Sequence, residues 1–158
     1  MNVKHAREIE LPRPRRYHGF SLLELMIVVA ILSIIASIAY PSYMGTVSRT
    51  NRSAAKSALL EVANRQEQFF AENKRYAVNL SDLGYSGNAF MIDARGEPVT
   101  ASSSDRCYGI SLTNTAAMTF TANATPELQQ ATHDSGCAML TLTHTGIKGQ
   151  SGPSTRCW

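Results

Sequence analysis

Phe20-Ser-Leu-Leu-Glu-Leu-Met-Ile-Val-Val-Ala-Ile-Leu-Ser-Ile-Ile-Ala-Ser-Ile-Ala-Tyr40 is a run of 21 residues with a single charge, Glu24. As an α-helix it is about 31 Å long, which matches a bilayer core of roughly 30 Å. Glu24 lies one turn in from the start. A carboxylate held near the bilayer centre costs on the order of 3 kcal/mol, and less toward an interface. An acid at this position is therefore either an interfacial charge or one that meets a partner.

Outward toward the N-terminus, Met1 to Gly19 carry Lys4, Arg7, Arg13, Arg15 and Arg16 against Glu8 and Glu10. These nineteen residues account for the whole formal net charge of +3, since the remaining 139 hold ten basic and ten acidic side chains. A basic tail ahead of an apolar run stays on the cytoplasmic side of a membrane. A nucleic-acid-binding arm is the competing reading; the two glutamates and the apolar residues that dilute the run argue against it. The chain as a whole has 158 residues, 44% hydrophobic, 17% charged and 8% aromatic. That length suits one domain rather than a multidomain enzyme, and the composition excludes a wholly disordered chain.

Gly19-Phe20-Ser21-Leu22-Leu23-Glu24 behind a basic leader resembles the class III signal of type IV prepilins. The resemblance implies a cut between Gly19 and Phe20 by a membrane-embedded prepilin peptidase, with N-methylation of the new Phe20 amine. It also implies that Glu24 neutralises the amine of a neighbouring subunit during assembly. Such a pair is strong in an apolar bundle only when both partners are present, which makes it a register device. The leader is lost and the greasy helix kept, the reverse of a secretory signal peptide. A signal peptide cut after Ala39, behind the small-x-small triplet Ser37-Ile38-Ala39, is the rival. Glu24 inside the run and a length beyond the usual 7–15 residues weigh against it.

Beyond Tyr40, Pro41 removes a helical hydrogen bond and predicts a kink, and Gly45 is a second weak point. Tyr43, Val47, Ala54, Ala55, Ala58, Leu59, Val62, Gln66, Phe69 and Phe70 then recur mostly three and four apart. That spacing predicts an amphipathic helix with one stripe turned to a partner, ending near Asn73–Tyr76. Arg49, Arg52, Lys56, Glu61, Arg65, Glu67 and Glu72 lie largely off the stripe. The Phe69/Phe70 pair reads as packing rather than a ligand site.

The stretch 78–105, rich in Gly, Ser, Asn and Asp, reads as a long irregular connection. Three alternating runs follow: Cys107 to Thr113, Ala117 to Asn123 and Cys137 to His144. Asn114-Thr115-Ala116 reads as a hairpin turn and residues 127–136 as a longer connection. Small half-buried antiparallel sheets need a cover, and the helix stripe supplies one. The expected fold class is α+β: a long N-terminal helix packed on a small antiparallel sheet, the type IV pilin fold. The division is a cleaved leader (1–19), a transmembrane and assembly helix (20–41), an amphipathic helix (42–76), a loop region (77–106), and a sheet with a C-terminal disulfide loop (107–158).

The resemblance continues past the leader. Ala39-Tyr-Pro-Ser-Tyr43, Phe69-Phe-Ala-Glu-Asn-Lys-Arg-Tyr76, Leu140 to Lys148 and the terminal Cys157-Trp158 look like the PilE-like minor pilins. It implies a structural subunit, not an enzyme, that supports pilus biogenesis, twitching motility and adhesion. Its implied partners are other pilin subunits, the prepilin peptidase and the inner membrane, with an extracellular pilus as its destination. No cofactor is implied. Three cysteines allow at most one internal bridge. Cys137–Cys157, the family's C-terminal loop, is the expected pair, with Cys107 left over; Cys107–Cys137 stays open.

The four histidines show no metal-ligand spacing, and there is no phosphate-binding glycine loop or GxSxG. Asp134 beside His133 reads as a solvated turn. Asn51-Arg-Ser, Asn79-Leu-Ser and Asn123-Ala-Thr match the glycosylation sequon only weakly. Two alternatives remain: a DNA-uptake pilin with a basic patch of Arg95, Arg106, Lys148 and Arg156, and a type II secretion pseudopilin. DNA is the less favoured partner, because the chain beyond the leader is neutral.

Overall fold

A computed structural model describes residues 20–158. They divide into two compact units at Ile38–Ala39, and one helix, α1 (Leu22–Asn73), runs through the division.

In the first unit every described residue, 20–38, is exposed. The helix there is long and apolar enough to cross a membrane. Among the described residues nothing in this unit covers an apolar face, which a helix of this kind needs from lipid or protein. The two serines within the run spend their hydroxyls on the helix itself: Ser33 Oγ donates to the Val29 carbonyl at 2.8 Å and Ser37 Oγ to that of Ile34 at 2.7 Å. Internal satisfaction is what a polar group in hydrocarbon requires. The helix assignment is unbroken through Pro41.

In the second unit α1 buries Ser48, Asn51, Ala55, Ala58, Leu59, Val62 and Gln66. This is the predicted stripe shifted at its start. Tyr43 is exposed, and two polar residues, Ser48 and Asn51, open the buried face. Strands β1 (Ala89–Ile92), β2 (Pro98–Val99), β3 (Tyr108–Ala116), β4 (Thr119–Pro126), β5 (Leu140–Thr143) and β6 (Lys148–Gln150) form one sheet in the order β2-β1-β3-β4-β5-β6. All neighbours are antiparallel. The register stacks apolar residues across strands: Phe90, Ile110, Ala124 and Leu140 share one row, and Leu112, Ala122 and Leu142 another. This face and the α1 stripe form one core. The expected α+β arrangement, a long helix on an antiparallel sheet, is what the chain adopts.

Several boundaries differ from the sequence reading. The stretch 77–106 is not one loop: it holds a 3-10 turn (Leu80–Leu83), β1 and β2. These strands are too short, and too surrounded by Gly, Ser and Asn, to show an alternating pattern. The hairpin turn falls at Ala117–Met118 rather than 114–116, because a register shift between Thr113 and Ala116 lengthens β3. Residues 127–136 contain a short helix, α2 (Leu128–His133), and the edge strand β6 was not foreseen.

Candidate functional site

The first helical turn is built by Ser21. Its carbonyl accepts from the Leu25 N–H and its hydroxyl from the Glu24 N–H, both at 3.2 Å. Ser21-Leu22-Leu23-Glu24 is thus the S-x-x-E pattern of a capping box, with Glu24 at the position where an acid also favours the helix dipole. Sequence reasoning weighs Glu24 only as a charge, interfacial or paired; the serine three residues earlier is the overlooked signal. Glu24 lines an exposed apolar hollow with Phe20, Leu25 and Val28. Phe20 is 83% exposed. Gly19, the other residue at the expected cut, lies outside the described residues.

The second unit conceals a polar network where a solvated turn was expected. Asp134 is 2% exposed. Arg52 clasps it with two nitrogens, Nε at 3.0 Å from Oδ2 and Nη2 on Oδ1. Tyr108 Oη donates to Oδ2 at 2.7 Å. Gln130 Nε2 lies 3.0–3.2 Å from Tyr108 Oη, Asp134 Oδ2 and Ser48, and Asn51 Nδ2 donates to Gln130 Oε1 at 3.0 Å. Four chain regions meet here: α1, β3, α2 and the turn before β5. The carboxylate hydrogen bond raises the Arg52 pKa against the opposing effect of burial. Burial, and then its bond to Asp134, push the Tyr108 phenol well above its usual range. The arrangement is a clamp rather than a catalytic dyad, since His133 points to an exposed position while Asp134 is enclosed.

The clamp continues into the C-terminus. Arg52 Nη1 also donates to the Arg156 carbonyl at 3.3 Å, next to the disulfide between Cys137 and Cys157. This is the expected pairing, and Cys107 is free and partly buried against the core. Inside the closed loop Gly152 passes so close to the Gly136 carbonyl that a Cβ has no room there. Trp158 Nε1 donates to the Gly149 carbonyl at 2.7 Å.

The four cations of the alternative basic patch do not all lie on one edge of the sheet. Arg95 is in the β1–β2 turn at one edge of the sheet, and Lys148 is on β6 at the other. Arg106 is engaged by the Ser103 carbonyl at 2.8 Å and faces Glu127 at 3.6 Å. Lys148 instead lies 5.5 Å over the Trp158 ring. Burial, with the charges of Arg52 and Lys148, lowers the Lys56 pKa, which marks these cations as neighbours. Two of the three sequons are enclosed, with Asn51 7% and Asn123 4% exposed. Among the described residues no group of three His, Cys, Asp or Glu is placed to hold a metal ion.

Two family models match the chain. That of the type IV minor pilin ComP, DNA uptake sequence receptor, covers residues 41–141, and that of the prokaryotic N-terminal methylation motif covers residues 14–40. The chain is 41% identical over 71 residues to the type IV major pilin protein PilA of Myxococcus xanthus, a span of 45% of this chain and 32% of that protein. It is 33% identical over 70 residues to type II secretion system core protein G of Dickeya chrysanthemi, covering 44% and 46%. It is 32% identical over 69 residues to the type IV wide pilus major component PilA4 of Thermus thermophilus, covering 44% and 53%. The chain thus spans about a third to a half of the length of these curated relatives.

Proposed function

The chain belongs to the type IV minor pilin ComP family, and from that premise we propose that it is a minor subunit of a type IV pilus. It is inserted in the inner membrane with its leader in the cytoplasm. Prepilin peptidase cuts between Gly19 and Phe20, the Phe20 amine is methylated, and the helix is then packed among other pilin helices in an extracellular fibre. The observation that carries the reading is the exposed apolar helix of the first unit, joined to the methylation motif. That surface is stable only in lipid or among similar helices, and a retained helix serves both environments in turn. The test is mass spectrometry of the mature protein from sheared surface fibres. A chain beginning at methylated Phe20 is expected; one beginning at Tyr40 overturns the reading.

A second reading, that the domain contacts DNA, draws on the family model's description and on the basic edge of Lys56, Lys148 and Trp158. Cations interleaved with an aromatic ring suit a phosphate backbone with an adjacent base. The full chain in detergent should then retain DNA at low salt and release it as salt rises. Lys56→Ala with Lys148→Ala should reduce the salt slope by about 2. No retention at low salt removes this reading.

A further inference from the structure

Two residues that are not glycine sit in the left-handed region, one at each end of the segment that carries α2: Leu128, with φ 47°, and Ala138, with φ 52°. A Cβ in that conformation crowds the following carbonyl, and the strain persists only where the surrounding structure holds it. The segment 128–136 is pinned close to each strained residue. At one end the Glu127 N–H donates to the Cys107 carbonyl at 2.8 Å; at the other, Cys137 is bridged to Cys157. Between the pins only Gln130 and Asp134 are enclosed, while the apolar Leu128 and Ala131 are exposed. The segment is therefore fastened to α1 by hydrogen bonds and not by apolar burial: Gln130 with Ser48 and Asn51, and Asp134 with Arg52. The seam is also imperfectly filled. A hollow of about 60 Å³ lies between Ser48 and Asn51 of α1 and Gln130 and His133 of α2. Asn51 Oδ1 is buried and has no hydrogen-bond partner among the described residues. Turning the amides over does not cure this. Gln130 presents Nε2 to Asp134 Oδ2, so its Oε1 takes the Asn51 Nδ2 and leaves Asn51 Oδ1 idle.

We propose that 128–136 is a strap that opens as a unit between its two pins while the rest of the globular unit stays folded. Opening relaxes both left-handed residues, wets Asn51 Oδ1 and exchanges the fastening bonds for bonds to water. Arg52 and Asp134 regain water together, so neither is left as a lone buried charge. What the strap controls is charge. Closed, Arg52 is spent on Asp134. Open, it joins Arg49 and Lys56, three and four residues away on α1, in a row of cations that no acid interrupts. Opening of this kind needs neither a fibre nor a bound partner.

Native-state hydrogen exchange on the full chain in detergent tests this. The Asp134 amide, bonded to the Gln130 carbonyl, reports the strap; the amides of Glu127 and Gly152, bonded to the Cys107 and Cys137 carbonyls, report the pins. The Asp134 amide is expected to exchange about tenfold faster than either pin, or more, and to respond less steeply to urea. Equal rates with equal urea dependence overturn the proposal, since the segment then opens only with the whole unit. Leu128 supplies the hinge test, because its side chain is exposed and its replacement disturbs little packing. Leu128→Asn, which tolerates the left-handed region, should slow Asp134 exchange about tenfold, and Leu128→Ile, which does not, should speed it by a similar factor. Ala138→Asn is expected to act in the same direction as Leu128→Asn, and the pin amides should hold their rates in all three. Shifts of one sign for both Leu128 variants, or no shift, overturn the strap. Charge is read separately by phenylglyoxal labelling of Arg52, located by mass spectrometry. Labelling should follow Asp134 exchange across the variants; labelling that is the same in Leu128→Asn and Leu128→Ile overturns the release of Arg52.

Discussion

Glu24 has two separable roles at the scale of a single residue. Its N–H donates to the Ser21 cap, and its carboxylate is the one side-chain charge between Phe20 and Ile38. Ser21→Ala removes the cap, weakens the helix start by about 1 kcal/mol and keeps the charge. Glu24→Gln keeps the cap and removes the charge. Under the proposed function only the second lowers recovery in sheared fibres, read by immunoblot; equal losses would make Glu24 a helix-start residue. Arg52 and Arg49 make a similar contrast. Removing one partner of an enclosed ion pair costs about 3–5 kcal/mol, and Arg52 is slightly exposed, so Arg52→Ala should lower the urea unfolding free energy by about 3 kcal/mol. Arg49→Ala should change it by less than about 0.5 kcal/mol. Tyr108 supplies a pH signature. Its folded pKa is raised, so its contribution is intact below the unfolded value of about 10 and lost as pH climbs above it. The thermal midpoint should therefore fall more steeply above about pH 10 in the wild type than in Tyr108→Phe. Little of this clamp was legible in the sequence. Hydrophobic periodicity registers apolar residues, whereas Ser48, Asn51, Gln130 and Asp134 are enclosed only because their partners arrive from up to 82 positions away.

At the scale of elements, α1 was the most legible, because its core face repeats at helical spacing through Ala55, Ala58, Leu59 and Val62. Gln66 stood in that stripe without an evident reason, and the fold supplies one. It is fully buried, and its amide donates to the Ala77 carbonyl at 2.9 Å and accepts from the Ala77 N–H at 2.8 Å. The segment leaving the helix is thereby fastened back onto it. Gln66→Leu strands both backbone groups, so a loss of about 2 kcal/mol is expected in urea unfolding. Hydrogen exchange at the Ala77 amide should accelerate first. The strands were legible where both neighbours alternate, in β3, β4 and β5. They were not where pairing alone defines them: β2 is two residues long and β6 is Lys148-Gly-Gln150. Edge strands of this kind take their conformation from the strand beside them, a long-range cause that local propensity does not carry.

At the scale of the whole molecule, composition already separated an apolar rod, a basic leader and a neutral domain. What the sequence left open was the cysteine pairing, which depends on how the last residues return to the sheet. They do so by backbone pairing, Ser151 N–H to the Met139 carbonyl at 2.9 Å and Ser154 N–H to that of Gly136 at 2.8 Å. Cys137→Ser with Cys157→Ser should remove about 3 kcal/mol in the chain-entropy model. A urea midpoint unchanged between oxidised and reduced protein would show that these backbone bonds hold the loop unaided.

The Arg52 clamp has a mechanical consequence. Tension applied along the apolar helix enters the globular unit through the turns around Ser48 to Arg52, ahead of the greasy contacts that follow. There the two-pronged grip on Asp134 and the bond to the Arg156 carbonyl hand the pull to the disulfide-bonded tail and, through Tyr108, to the middle of the sheet. Under the proposed function, a tug on such a fibre subunit meets several cross-chain bonds at one place in the fold. Its rupture force, beside its resistance to unfolding, is a property that the clamp sets.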